Sequence, residues 1–185
     1  SFSSKNISCS FNDPFFTDLK NNSFDVNVGE IFGIAGVAGN GQSELMDILV
    51  GENTLIDSGE LIFNNKNIEY LGPQKRRDLS IAFVPENRLG HSAVPELTLS
   101  ENILLSQFPN NKFSKNGILN RNSIEDYAIK VIKNFNVVTP GSDAKASSLS
   151  GGNLQKFVIG REISSKPKLL IISHPTWGID AGAEH

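Results

Sequence analysis

Two glycine-rich turns, each opening into an amphipathic segment, constrain the fold of this chain most. The more telling one is Leu149-Ser150-Gly151-Gly152-Asn153, which runs straight into Leu154-Gln155-Lys156. Leu154, Phe157 and Val158 fall on one face of the helix this spacing predicts. A serine and two glycines at a helix start leave backbone N–H groups free to point at an anion. Downstream lies Leu169-Leu170-Ile171-Ile172, an apolar run with the pattern of a buried strand. Far upstream, Gly36-Val37-Ala38-Gly39-Asn40-Gly41-Gln42-Ser43 forms the second glycine-rich loop, between a strand candidate and a helix candidate.

Composition narrows the function classes. With 185 residues the chain can bury one good core and a small inserted lobe. Hydrophobic residues make up 38%, which predicts a folded rather than a disordered chain. The net charge of −3 argues against a dedicated nucleic-acid binder. Lys75-Arg76-Arg77 is a candidate for a local basic patch, but it reads rather as a solvated helix face. The single cysteine, Cys9, excludes an intrachain disulfide and fits a reducing compartment. No apolar run approaches the ~18 residues of a membrane span. A start at Ser1 and a stop at His185 soon after a loop suggest a piece of a longer polypeptide.

Along the chain, the first ~70 residues read as short strands and turns. Phe24 to Val28 alternates as a half-buried strand does, and Ile31 to Ala35 is a buried strand candidate. Leu45, Ile48 and Leu49 give helical spacing that ends near Gly51. Ser58-Gly59-Glu60 reads as a turn into a strand over 61–63, and Ile81 to Val84 is a buried strand stopped by Pro85. Thr98 with Glu101 three residues later is a capping box, so a helix should pass through Ile103 and Leu105. Residues 110–116 read as a polar loop. Ile124 to Phe135 is an amphipathic helix with Ile124, Tyr127, Ala128, Val131, Ile132 and Phe135 inward. Residues ~85–165 therefore form a helical lobe inserted in an α/β core.

The upstream loop matches the phosphate-loop pattern of glycine, four residues, glycine, lysine and serine or threonine at Gly36, Gly41 and Ser43. Its glycines let backbone N–H groups face phosphate oxygens, and Ser43 could offer its hydroxyl to Mg²⁺. Gln42 replaces the lysine, giving a neutral amide dipole where a full charge is expected, and Glu44 adds a negative charge nearby. Taken alone, the loop also fits a strand-to-helix turn whose glycines serve only packing.

Both loops in this order resemble an ABC-type nucleotide-binding domain, over nearly the whole chain. Gly36 to Ser43, Val84-Pro85-Glu86-Asn87-Arg88 and Ser148 to Asn153 look like the second, C-terminal half of the tandem ATPases serving simple-sugar and nucleoside importers. Gln42 is itself characteristic of the nucleoside type of that half. The resemblance implies a P-loop NTPase (RecA-like) α/β core with an antiparallel β subdomain and an inserted helical subdomain. It divides the chain into 1–84 (β subdomain and phosphate-loop part of the core), 85–165 (helical subdomain with the signature) and 166–185 (returning strand and aspartate loop). That last part stops before the family's switch histidine.

The resemblance further implies ATP and Mg²⁺ as ligands. ATP would lie on Gly36, Val37, Ala38, Gly39, Asn40, Gly41, Gln42, Ser43 and Glu44, on Ser150, Gly151, Gly152 and Asn153, and at Asp180; Ser43 and Glu86 are the metal candidates. In such domains the strand after the signature ends in an aspartate for Mg²⁺ and a glutamate that polarises water. Alignment on Pro175, Gly178 and Asp180 puts Ser173 and His174 there. Serine is a poor Mg²⁺ anchor. His174 is either a base near neutral pH or a hydrogen-bonded turn residue. Glu86 takes the place of the glutamine that links γ-phosphate to the membrane subunit, and 85–102 would face that permease. Phe11, Phe15 and Phe16 are candidates for stacking on adenine, or are ordinary core.

Gln42, Ser173 and His174 together remove charge from both ends of a phosphate site, so this copy's own site is expected to hydrolyse weakly or not at all. Its intact signature would serve ATP held by a partner nucleotide-binding half. The implied location is peripheral, on the cytoplasmic face of the inner (plasma) membrane, with no nucleic-acid partner. A nucleotide-responsive scaffold without catalysis, and an ABC protein of translation or repair, are the competing classes.

Overall fold

The computed structural model describes residues 1–87, 89–107, 113–115 and 117–175. The chain divides into two compact units, 1–79 and 80–185.

The first unit is built on a four-stranded antiparallel sheet in the order β2-β1-β3-β4, from β1 (Phe2–Cys9), β2 (Leu19–Val26), β3 (Ser58–Phe63) and β4 (Lys66–Asn67). β1 lies inside the sheet, pairing Phe2 with Val26 on one side and with Phe63 on the other. Its buried residues Phe2, Ile7 and Cys9 join Leu19, Leu61, Phe63 and Ile68 in the unit's core. The 58–60 segment belongs to β3 and is not a turn before it, because Lys5 pairs with Glu60 and Ser8 with Ser58. β2 starts at Leu19, earlier than the alternation from Phe24 suggests.

Helix α1 (Gln42–Val50) buries Leu45, Met46, Ile48, Leu49 and Val50, as the helical spacing requires. It ends at Gly51, whose φ of 88° is the left-handed conformation that glycine adopts without cost. A Cβ there would lie 2.4 Å from the Leu71 carbonyl oxygen. Arg76 on helix α2 (Pro73–Asp78) crowds the same spot, its Nε 2.8 Å from that position, and its side chain is fully buried. Its guanidinium donates to the carbonyls of Ile48 (2.6 Å), Leu49 (2.7 Å), Ile68 (2.9 Å), Glu69 (3.1 Å) and Leu71 (2.7 Å). The expectation that Lys75-Arg76-Arg77 is a solvated face therefore fails at Arg76. Planar five-donor geometry suits a cluster of backbone carbonyls better than water does. Burial pulls the Arg76 group down to about 10, with Glu69 acting against that shift, and it stays charged at neutral pH.

The expected buried strand over 31–35 is absent. The segment is irregular, and Ile31 is 99% exposed. Among the described residues no strand pairs with it. Apolar content signals a tendency to bury, but a strand also needs a ladder partner. Phe32 instead stacks on Phe24 of β2, with ring centroids 5.1 Å apart.

The second unit pairs β5 (Ile81–Val84) in parallel with β8 (Leu169–Ile172), Val84 opposite Ile172. β5 is buried throughout, whereas β8 is half-buried along its length, less than its apolar run suggests. Helices α3 (Leu99–Gln107), α4 (Arg121–Asn134) and α5 (Gly151–Ser164) pack on one cluster that includes Val84, Leu99, Ile103, Ile124, Ala128, Val131, Leu154, Phe157 and Val158. The capping box is present: Glu101 N–H donates to Thr98 Oγ1, and Thr98 N–H donates to the Glu101 carboxylate. The α4 face is as expected, with Asn120 capping its start. A Cβ on Gly160 of α5 would lie 2.6 Å from the Phe135 ring, so the two segments approach at glycine distance.

The expected loop over 110–116 holds a hairpin strand. β6 (Ser114–Lys115) pairs with β7 (Ile118–Leu119) around Gly117, whose φ is 79°. Residues 110–112 and 116 lie outside the described residues.

Asn102 and Arg161 hold the irregular 85–98 stretch. Asn102 is fully buried; its amide accepts from Val94 N–H and donates to the carbonyls of Val94, Leu97 and Thr98. Arg161 on α5 donates to the carbonyls of Ser92 (2.8 Å) and Asn102 (3.2 Å) and pairs with buried Glu162 (2.9 Å).

Arg76→Ala leaves five carbonyls without their donor. It is expected to cost about 3–5 kcal/mol in urea unfolding, the range for stripping a buried charged hydrogen-bond centre. Arg76→Lys keeps the charge with three donors and should cost less; equal losses in the two variants would show that the fork, not the charge, matters. Asn102→Ala is expected to lose about 2–3 kcal/mol, since the Val94 N–H is left unsatisfied. Faster hydrogen exchange at the Val94 amide should accompany that loss, and an unchanged rate would remove Asn102 from this role.

Candidate functional site

The first unit presents the upstream glycine loop at the N-terminus of α1. Gly39 and Gly41 hold φ of 84° and 94°, conformations open to glycine, and Gly36 to Asn40 are all exposed. No side chain caps α1. Its first-turn N–H groups therefore face outward with the positive end of the helix dipole behind them, an arrangement suited to an anion. Ser43 is exposed in that first turn.

Gln42 does not project from the loop. Its Nε2 donates to the Val37 carbonyl at 3.0 Å, and its Oε1 accepts from Asn40 N–H at 3.1 Å. Glu44 is turned inward. Its buried carboxylate accepts from Thr17 N–H at 2.8 Å, so the charge is engaged there and is not open beside the loop. Thr17 Oγ1 donates to the Gly39 carbonyl at 2.9 Å, which ties the 11–18 turn to the glycine loop. Sequence reasoning gave Thr17 no role, since a lone threonine in a polar turn carries no motif.

The same turn carries the three phenylalanines. Phe11 and Phe16 stack on each other at 5.5 Å, while Phe15 is 92% exposed. None of them belongs to the buried core of the unit, and Phe15 is the ring with open faces.

In the second unit, Ser150 caps α5 and accepts from Asn153 N–H, so one of the N–H groups expected to be free at this helix start is engaged. Ser150 and Gly151 are exposed. Asn153 is occupied structurally: its Oδ1 accepts from Val138 N–H at 2.8 Å and its Nδ2 donates to Ser150 Oγ at 3.0 Å.

At the ends of β5 and β8, Glu86 and His174 come together. His174 Nε2 lies 3.8 Å from the Glu86 carboxylate, both side chains being partly exposed. His174 has φ of 48°, a left-handed conformation that histidine adopts more readily than most residues. The turn geometry and the proximity to a carboxylate coexist at this residue. Ser173 N–H extends the ladder by donating to the Val84 carbonyl. Among the described residues no group of three His, Cys, Asp or Glu side chains could hold a metal ion. Asp180 lies outside the described residues, as do Arg88 and Gly178.

Phosphate suits the first of these features, where N–H groups and glycine conformations converge. Among the described residues no helix is long and apolar enough to cross a membrane.

Known proteins resemble this chain in sequence and in fold. The chain is 44% identical over 165 residues to the nucleoside import ATP-binding protein NupA of Lactococcus lactis, covering 89% of this chain and 32% of that protein. It is 42% identical over 161 residues to the guanosine import ATP-binding protein NupO of Bacillus subtilis, covering 87% of this chain and 31% of that one. The chain thus spans about a third of the length of these relatives. A solved ATP-binding cassette, a dimer in a post-hydrolysis state bound to ADP and Pi, superposes with a TM-score of 0.80 at 23% identity. It covers 98% of this chain and 77% of the other, and that likeness establishes the cassette fold. A family model described as ABC transporter matches residues 19–177, and with it the chain belongs to the ABC transporter family.

Proposed function

We propose that this chain is the ATP-binding domain of an importer for nucleosides or simple sugars, and that it corresponds to the C-terminal half of a tandem ATPase. The glycine loop carries the reading: its exposed N–H groups lie at an uncapped helix start, in a chain whose relatives are import ATP-binding proteins. The α1 N–H groups would hold phosphate oxygens, Ser43 would offer its hydroxyl to Mg²⁺, and Phe15 would stack on the base. Bound Mg²⁺ would neutralise phosphate charge.

The chain's own residues supply little else for hydrolysis. Gln42 brings no charge, Ser173 stands where a carboxylate is needed, and Glu86 and His174 face each other. Phosphoryl transfer depends on positioning and charge neutralisation, so such a site binds better than it hydrolyses. The signature end is intact. Ser150 and the N–H groups of Gly151 and Gly152 would meet the γ-phosphate of ATP on a partner nucleotide-binding half.

The three parts 1–84, 85–165 and 166–185 then have separate duties: nucleotide holding, signature presentation, and the returning strand with Asp180. Residues 85–102 would dock the transmembrane permease. Asn102 and Arg161, which brace that stretch, join it to the signature helix α5. Docking places the chain on the cytoplasmic face of the membrane, without nucleic acid as a partner.

The isolated chain is expected to release phosphate from ATP at background rate. Robust Mg²⁺-dependent release, abolished by Ser43→Ala, would overturn the degenerate-site reading. In the assembled transporter, Ser150→Arg would fill the space where a partner's γ-phosphate sits. Transport-coupled hydrolysis is expected to fall by at least about a hundredfold, as when a positioned transition-state donor is lost. Hydrolysis near the native level in that variant would rule out signature donation.

A further inference from the structure

We infer that Gln42 is an internal clasp on the glycine loop: its amide occupies a backbone donor that a phosphate would use, so nucleotide must displace it to bind fully. This rests on the nucleotide reading proposed above and assigns Gln42 a role opposite to that of a ligand.

Both ends of the amide are committed to the loop itself. Nε2 donates to the Val37 carbonyl at 3.0 Å, and Oε1 accepts from Asn40 N–H at 3.1 Å. The two contacts fix the orientation of the amide, because a flipped one would set oxygen against a carbonyl and NH₂ against an N–H. Asn40 N–H also reaches the Val37 carbonyl at 3.2 Å, so the three groups close a small ring. The side chain is tucked against the first glycine as well. A Cβ on Gly36 would lie 2.5 Å from Nε2. An anion ligand would direct its N–H outward, into the space the loop surrounds. Gln42 instead turns its oxygen onto the loop's own donor.

Side-chain chemistry explains why an amide is needed. Lysine has donors but no acceptor. At position 42 it could reach the Val37 carbonyl, but it would leave Asn40 N–H with its 3.2 Å contact to that carbonyl alone and add charge. Glutamate could accept from Asn40 but could not donate to Val37. Alanine does neither. A phosphate oxygen makes a charge-assisted bond about twice as strong as the neutral one it replaces. The clasp therefore weakens binding without forbidding it.

The test measures ATP affinity by calorimetry in the intact protein for four residues at position 42. The expected order is Gln42→Lys tightest, then Gln42→Ala, then native, then Gln42→Glu. Gln42→Ala should bind about tenfold tighter than native, the equivalent of one or two modest hydrogen bonds no longer broken. Gly36→Ala keeps Gln42 but puts a methyl where Nε2 sits, and should raise affinity in the same direction. A second readout needs no nucleotide: hydrogen exchange at the Asn40 amide should be several-fold faster in Gln42→Ala than in native protein. Weaker binding by Gln42→Ala, or unchanged Asn40 exchange, would overturn the clasp and leave the nucleotide reading standing. Failure of every variant, Gln42→Lys included, to bind ATP would overturn the nucleotide reading and the competition with it, whatever the exchange rates show.

Discussion

The first unit depends on a single guanidinium. Arg76 satisfies carbonyls from the end of α1 and from residues 68–71 with all of its donor edges. The last carbonyls of a helix have no partner within it, and water cannot reach them in a core. One rigid fork replaces that water and at the same time fixes where α1 ends relative to β4 and the turn after it. A nine-residue helix is about 13 Å long, so fixing one end fixes the other closely. The glycine loop sits at that other end. Its placement is therefore inherited from a buried charge on the far side of the helix, with Thr17 and Glu44 bracing the near side.

The second unit solves a similar problem with different groups. Here the irregular stretch after β5 needs partners for its backbone, and Asn102 and Arg161 supply them. Both residues lie on helices whose apolar faces form the core cluster, so the polar bracket is carried on a rigid support. The beginning of α5 carries exposed Ser150 and Gly151, and the last turn of the same helix carries Arg161. A displacement of the 85–102 stretch and a displacement of the serine–glycine turn are thus linked through one helix. In an importer that would be a direct mechanical route between permease and signature.

Local patterns were legible where the chain carries its own instructions. The Thr98–Glu101 box, the Ile124 to Phe135 face, the Gly51 stop and the Leu154-Phe157-Val158 face depend on neighbours within a few residues, and each is present. Long-range partnership was not legible. Residues 31–35 have the composition of a buried strand and no described ladder partner, while Ser58 to Glu60 look like a turn and pair with β1. The hairpin at 114–119 had a signal that polarity obscured: Asn116-Gly117 is a favoured two-residue hairpin pair. Arg76 looked solvated because a basic run normally is, and only the carbonyls it meets, up to 28 residues away, reveal otherwise. At the candidate site, residue identities were readable but their directions were not. Sequence alone places Gln42 and Glu44 beside the loop; it does not say that one folds onto the loop and the other turns to Thr17.

Those directions bear on how a glycine loop with glutamine in the lysine position of the pattern can hold its shape. A glycine loop stripped of charge has lost a strong reason to hold one conformation when empty, since left-handed glycines are costly to order. Gln42 offsets part of that cost by bonding both sides of the loop, and Thr17 adds a third tie at Gly39. The loop then keeps its shape through neutral hydrogen bonds internal to the unit. A shape maintained this way does not need bound nucleotide to persist. Such a loop suits a domain proposed to act mainly through its exposed signature turn, where the nucleotide that matters is held by the partner.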